Sequence, residues 1–388
     1  MGSNSLFYGD NLDVLRRHVK DETVDLVYLD PPFNSNANYN VLFGHADGSR
    51  AAAQIKAFGD TWRWDQAAAA AFQETIQAGG EVAQALSAFQ TLLGEANMLA
   101  YLSMMAPRLV ELRRVMKPTA SLYLHCDPTA SHYLKLLLDA VFGPQTFRTE
   151  IVWKRSSAHS DTKQGRKQHG RIHDVILFYT KGGEWTWNPV YQPYDQAYIE
   201  SKYSHVEPVS GRRYQLGDLT AAKPGGDTSY EWHGRRPYKG RFWAYSKEKM
   251  DEMLDAGQIY LPPDPTAVPR FKRYLDEQPG VPLQDFWATP DPINAKAAER
   301  LGYPTQKPVA LLERIVESSS NPGDVVLDPF CGCGTTIAAA EELKRSWIGI
   351  DLTALAISLI KSRLTAMGAD DYSVLGPPST PVSTGRGG

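Results

Sequence analysis

The sequence predicts a doubly wound α/β fold, and three observations carry the prediction. Short apolar runs stop at acidic residues, longer amphipathic stretches lie between them, and one glycine-rich turn joins a strand to a helix. The strands are read at Thr23–Asp30, Ala120–His125, Asp324–Asp328 and Ser346–Asp351. Runs this short and this apolar suit a parallel sheet covered on both faces. Helices are read where apolar residues recur at three-and-four spacing. Ala96–Met116 carries Met98, Leu99, Leu102, Met105, Leu109 and Leu112, and Lys117-Pro118 stops it. Thr129–Phe142, Pro308–Val316, Thr335–Leu343 and Thr353–Met367 behave in the same way.

Two regions break the pattern. Residues 45–95 are rich in Ala and Gln and read as a helical insertion. Residues 181–294 are dense in Trp, Tyr, Pro, Gly, Arg and Lys and read as a separate, irregular β-rich module. The α/β domain is therefore expected in two parts, residues 1–180 and 295–375. Residues 376–388, rich in Pro, Gly, Ser and Thr, are expected to be disordered.

Composition excludes several classes. The 388 residues are 42% hydrophobic and 22% charged, as in an ordinary globular chain, and the net charge is −3. A nucleic-acid partner would thus need a local basic face rather than global attraction. No leader segment or membrane span is read, so a cytoplasmic protein is expected. Cys126, Cys331 and Cys333 fit neither a disulfide framework nor zinc spacing, and no metal site is expected.

The first chemical motif is Asp328-Pro329-Phe330-Cys331-Gly332-Cys333-Gly334-Thr335-Thr336. It follows a strand and opens a helix, so its glycines let the backbone pass close to a ligand. The next strand ends at Asp351, at the distance of a carboxylate that grips the ribose of an adenosine-containing cofactor. A dinucleotide fingerprint would need a third glycine near Ile337, and none is present. A plain strand-to-helix turn is the alternative.

The second motif is Asp30-Pro31-Pro32-Phe33, also at a strand's carboxyl end. Two prolines remove two backbone donors and hold the chain extended, which leaves carbonyls free to accept. One carboxylate and one carbonyl form a two-acceptor clamp for an –NH2 group, and the following aromatic can stack on the ring that bears it. An exocyclic base amine is a poor nucleophile because its lone pair is delocalised. Two acceptors on its hydrogens aim that lone pair outward, and catalysis is then positioning plus electrostatic support. A base inside a duplex must be flipped out to reach such a clamp.

At these residues the chain resembles the β group of DNA amino-methyltransferases, in which D-P-P-F/Y precedes a target-recognition region and the cofactor motif comes last. The resemblance implies a Rossmann-like S-adenosylmethionine-dependent methyltransferase fold with residues 181–294 as an inserted recognition module. It implies S-adenosyl-L-methionine as cofactor, held by Asp10, Thr305, Lys307, Asp328, Phe330, Gly332, Gly334, Thr335 and Asp351. Asp30, Pro31, Pro32 and Phe33 would be catalytic. Tyr8–Leu15 looks like the family's entry segment, where Asp10 either meets the cofactor adenine or caps a helix. Tyr303–Pro308 looks like the segment around the methionine end, and Ile151–Arg155 and Ile172–Tyr179 resemble central strands. Cys333 departs from the family's usual Ser. Asp rather than Ser before Pro-Pro leans toward N6 of adenine over N4 of cytosine.

Double-stranded DNA is the expected substrate. Lys154, Arg155, Lys163, Arg166 and Lys167 form one basic run suited to phosphates. Arg212, Arg213, Arg235, Arg236 and Arg241 lie among Tyr214, Tyr230, Trp232, Tyr238 and Trp243, a mixture suited to base reading and stacking. A solvated face is the alternative for either run. The resemblance also implies a prokaryotic or phage setting, a homodimer and a cognate restriction endonuclease. An RNA or protein-amide methyltransferase, or a DNA-binding module without catalysis, are the more distant readings.

Overall fold

The computed structural model describes residues 4–32, 37–41, 55–60, 63–156, 167, 169–294, 297–303 and 305–376, with backbone alone at 37–41 and 55–60. The chain divides into two compact units, residues 1–190 with 284–388, and residues 191–283.

The first unit is built on a nine-stranded sheet. In chain order its strands are β1 (Asn4–Tyr8), β2 (Val24–Leu29), β3 (Met116–Cys126), β4 (Phe147–Lys154), β5 (His173–Thr180), β6 (Phe286–Trp287), β7 (Val325–Asp328), β8 (Ser346–Asp351) and β9 (Tyr372–Leu375). Their spatial order is β6-β4-β5-β3-β2-β7-β8-β1-β9. All neighbours pair parallel except β5, which is antiparallel to both β3 and β4. Every residue of β2 is buried, as expected of a strand covered on both faces.

The helices of this unit lie between the strands. α1 (Asn11–His18), α2 (Gln66–Ala78), α3 (Gly80–Leu93), α4 (Asn97–Val115) and α5 (Ser131–Phe142) pack against one another. The Ala/Gln-rich stretch therefore supplies core: Phe72, Leu86 and Phe89 are buried in the same apolar cluster as Leu102, Leu124 and Leu177. An Arg16–Glu74 ion pair of 2.6 Å ties α2 to α1. Residues 45–54, 61 and 62 of the expected insertion lie outside the described residues, as does the tail from residue 377.

The second unit carries α6 (Gln196–Lys202) and α7 (Lys247–Asp255) beside a four-stranded sheet whose strands pair antiparallel. Its core is Leu219, Trp232, Trp243, Met250, Met253, Ile259 and Val268. The indoles keep their donors paired: Trp232 donates to Asp251 at 2.7 Å and Trp243 to the Tyr230 carbonyl at 2.9 Å. This unit is narrower at both ends than the expected 181–294. On one side Asn188 N–H bonds the Ser318 carbonyl at 2.7 Å, and on the other Phe286–Trp287 adds a strand beside β4, so both flanks belong with the large sheet.

The remaining helices are α8 (Val309–Ser319), α9 (Thr335–Glu342) and α10 (Ala354–Met367). Gly334 caps the start of α9 at φ 77°, a left-handed conformation that costs any residue with a side chain. A Cβ there would also stand 2.8 Å from Ile360 Cγ1 on α10. Gly334→Ala is therefore expected to lose roughly 1–3 kcal/mol of stability, measured by denaturant unfolding.

Candidate active site

β2 and β7 are neighbours, with Leu26 beside Val326 and Val27 beside Leu327. Beyond their carboxyl ends the chain departs in opposite directions: β2 leads to β3 on one side, β7 through α9 to β8 on the other. Two connections that diverge from adjacent strands leave a crevice between them, the place where open α/β sheets bind ligands. A cavity of about 460 Å³ lies there, within the roughly 300–1,000 Å³ of small-molecule sites.

Both motifs open into it. Asp30, Pro31 and Pro32 form part of its wall, and so do Asp328, Phe330, Gly332, Thr335 and Asp351, joined by Asp10, Thr305 and Lys307. Gly334 is not in the wall; its place is the cap of α9. Phe33 lies outside the described residues. At Gly332 an added Cβ would stand 3.2 Å from the Tyr303 ring, so a side chain there would crowd the cavity.

Each carboxylate of the cavity has its own partner. Lys307 Nζ donates to Asp30 Oδ2, so Lys307 sits on the clamp itself. Asp328 accepts from Phe330 N–H at 3.0 Å and from the Thr336 hydroxyl. Burial nevertheless pushes its carboxyl up to about 7, with the neighbouring Asp30 and Asp351 charges adding to the rise. Asp351 accepts from Gly332 N–H at 2.9 Å and from Thr353 N–H and hydroxyl at 2.8 Å; burial raises it too. These bonds fix the glycine turn against the end of β8.

Asp10 fills the helix-cap role at α1, accepting from Leu12 N–H at 2.9 Å, and also lines the cavity. Its second oxygen takes the Arg108 guanidinium at 2.8 Å. Arg108, buried on α4, also donates to Asn11 at 2.6 Å and to the Met104 carbonyl at 2.7 Å, while Asn11 donates to the Pro329 carbonyl at 2.8 Å. Sequence reading missed Arg108 and Asn11. The available signal was an arginine in the apolar stripe of α4, in line with Met105 and Leu112.

Tyr28 was also missed, although it stands two residues before Asp30 and so on the same face of its strand. It lines the cavity, and its hydroxyl lies 2.9 Å from His125 Nδ1. His125 and Cys126, which sequence placed near a strand end, are fully buried, and Asp127 caps the next turn through Thr129 and Ala130 N–H. The thiols of Cys331 and Cys333 are pushed up by burial and are held as thiols. Cys333 Sγ makes a 3.7 Å contact with the Thr335 hydroxyl.

The expected DNA-contacting residues have varied surroundings. Arg155 pairs with Asp174 at 3.0 Å, Lys154 is half-buried at the end of β4, and Lys167 is exposed. Lys163 and Arg166 lie outside the described residues. In the second unit Arg212 pairs with Asp276 and Glu277, Arg235 donates to the carbonyls of Pro262, Asp264 and Ala267, and Arg241 binds Asp218 and Thr220. These three guanidinium groups hold the unit's own loops together. Arg213 reaches the Tyr203 carbonyl at 3.3 Å, and Arg236 pairs with Glu231 on the surface. Of the aromatics expected to stack on bases, Trp232, Trp243 and Tyr214 are buried, and the two tryptophans belong to the module's core.

Residues 24–362 match the DNA methylase family of N6/N4 methyltransferases. The chain is 30% identical to the type II methyltransferase M.EcaI of Enterobacter cloacae over 93% of its own length and 69% of that protein's. It is 28% identical to the Mod subunit of the type III restriction-modification enzyme StyLTI of Salmonella typhimurium, covering 88% of this chain and 50% of that one. To the DNA adenine methyltransferase YhdJ of Escherichia coli it is 23% identical, covering 96% of this chain and 85% of that one. The chain thus spans half the length of the Mod subunit.

The raised Asp328 carboxyl has a consequence for stability. Between about pH 4 and 7 the folded chain keeps a proton that the unfolded chain has lost, so its contribution to stability falls as pH rises through that window. Asp328→Asn removes the penalty. In the ligand-free protein it is expected to stabilise at pH 8, by on the order of 4 kcal/mol, and to have little effect near pH 4. Thermal unfolding at the two pH values checks this.

Proposed function

This chain belongs to the N6/N4 DNA methylase family, and we propose that it transfers a methyl group from S-adenosyl-L-methionine to N6 of an adenine flipped out of double-stranded DNA. The observation that carries the reading is the single cavity whose wall includes both Asp30-Pro31-Pro32 and the Asp328–Thr335 turn. The donor's own chemistry is a methyl on a cationic sulfonium, and a wall containing Asp10, Asp30, Asp328 and Asp351 suits a cation. Gly332 keeps the wall open beside Tyr303, and the exposed apolar side chain of Leu352 follows Asp351, so the residues present fit a nucleoside with hydroxyls at one end.

Asp30 and the Pro31 carbonyl hold the two hydrogens of the amine and orient its lone pair. Pro32 carries no N–H to compete for those acceptors. Lys307 fixes the Asp30 carboxylate in place, and Phe33 stacks on the base. Asp in the first position of the clamp supports adenine. N4 of cytosine is the second reading, because the same two acceptors fit its amine. Residues 191–283 are proposed as the target-recognition module. Phosphate contacts are assigned to Lys154, Lys163, Arg166 and Lys167, and further contacts to Arg213 and Arg236. Arg155, Arg212, Arg235 and Arg241 are proposed to keep their structural partners.

Asp30→Ala is expected to lower the methyl-transfer rate by roughly 10²–10³-fold or more while leaving S-adenosylmethionine affinity nearly unchanged. Digestion of treated DNA to nucleosides should yield N6-methyladenine. N4-methylcytosine alone would transfer the assignment to the second reading, and full activity of Asp30→Ala would remove the clamp.

A further inference from the structure

Beneath the clamp runs a buried row of polar groups that the amine-holding role leaves unused. Tyr28 Oη lies 2.9 Å from His125 Nδ1, and His125 Nε2 lies 3.2 Å from Asp174 Oδ2. Tyr28 is 2% exposed, His125 0% and Asp174 3%, so water does not mediate these contacts. The row crosses three adjacent strands, from β2 at the cavity through β3 to β5. At its far end the Arg155 guanidinium stands 3.0 Å from the other Asp174 oxygen.

The chemistry of the partners fixes the direction of the hydrogen bonds. Burial pushes the Asp174 carboxyl up, but the hydrogen bond from His125 and the charges of Lys307 and Arg155 hold the group below its ordinary value. Asp174 is then an acceptor only, and Nε2 must carry a proton. In the neutral imidazole Nδ1 accepts from the Tyr28 hydroxyl, which leaves the remaining lone pairs of Tyr28 as acceptors on a residue that lines the cavity. The order of groups, hydroxyl then imidazole then carboxylate, is that of an activated hydroxyl with its base and orienting acid. Burial and the charges of Asp30, Asp328 and Asp174 hold the Tyr28 phenol well above its ordinary value, so it does not rest as phenolate. It can take a proton only by passing its own on.

We propose that Tyr28, His125 and Asp174 are the exit for the proton that the target amine sheds on methylation. The proposal rests on the amine-clamp reading. The N–C bond forms as the sulfonium C–S bond breaks, and that electron pair stays on sulfur. One N–H proton passes to Tyr28 Oη while the Tyr28 proton passes to His125 Nδ1, giving an imidazolium held by Asp174. When product leaves and water enters, the proton returns by the same path. Asp30 then serves as a hydrogen-bond acceptor throughout.

Two variants test it. Tyr28→Phe removes one oxygen and keeps the ring. Asp174→Asn keeps the shape, and Arg155 draws the amide carbonyl to its side, so the amide N–H faces His125 and forces the proton onto Nδ1. The probes are methyl-labelled S-adenosylmethionine and unmodified, enzymatically amplified genomic DNA in single-turnover reactions. Each variant should slow transfer about 10²-fold with cofactor affinity unchanged, and the double variant should be no slower than the slower single. Independently of activity, ¹⁵N-imidazole NMR should show His125 protonated on Nε2 in the wild type and on Nδ1 in Asp174→Asn. A Tyr28→Phe variant at the wild-type rate, additive losses, or Nδ1–H in the wild type would overturn the relay. If Asp30→Ala is inactive while Tyr28→Phe is fully active, the relay fails and the clamp stands; an active Asp30→Ala sinks the clamp itself.

Discussion

The pairing of β2 with β7 sets the position of everything else in the site. Two residues of register hold the strands side by side, and their connections then leave in opposite directions. Because the chain cannot close over that divergence, the carboxyl ends of the two strands face an open crevice. Asp30 comes from one strand end and Asp328 from the other, though nearly three hundred residues separate them in sequence. The pairing of β7 with β8 then adds Asp351, and β1 beside β8 brings in Gly9 and Asp10.

Four carboxyl groups around one cavity repel one another, and the fold manages each differently. Asp30 has an ammonium, Asp10 a guanidinium, and Asp351 three donors from a turn and a cap. Asp328 is the least compensated: it has two hydrogen bonds and no cation, and burial carries it up to about 7. A site with this residual negative character favours a cationic occupant, since such an occupant lowers the cost that burial imposes on the acid. The same groups that shape the pocket thus bias it toward a sulfonium over a neutral nucleoside.

What could be read in advance was local. Asp30-Pro31-Pro32 and Gly332 declare themselves through neighbouring residues on one strand end or one turn, and the apolar runs marked β2, β3, β7 and β8. What escaped depends on strand order. Tyr28 looks like one more apolar residue until β3 is set beside β2 and His125 arrives across the pairing. Arg108 reaches Asp10 only because α4 packs on α1. The arginines of the second unit show the converse. Arg212, Arg235 and Arg241 were legible as a basic cluster, but their carboxylate and carbonyl partners come from elsewhere in the unit. A short, irregular module with few strands uses such contacts in place of a larger apolar core.

The methyl donor and the amine clamp are proposed to share one cavity at the β2–β7 crevice. Ultraviolet crosslinking of methyl-labelled S-adenosylmethionine to the full-length chain, followed by peptide mapping, tests it most directly. The label should fall on peptides spanning residues 28–32, 303–307 or 328–336, and Gly332→Leu should abolish it without unfolding the chain. Label confined to residues 191–283, or undiminished in Gly332→Leu, would contradict the account.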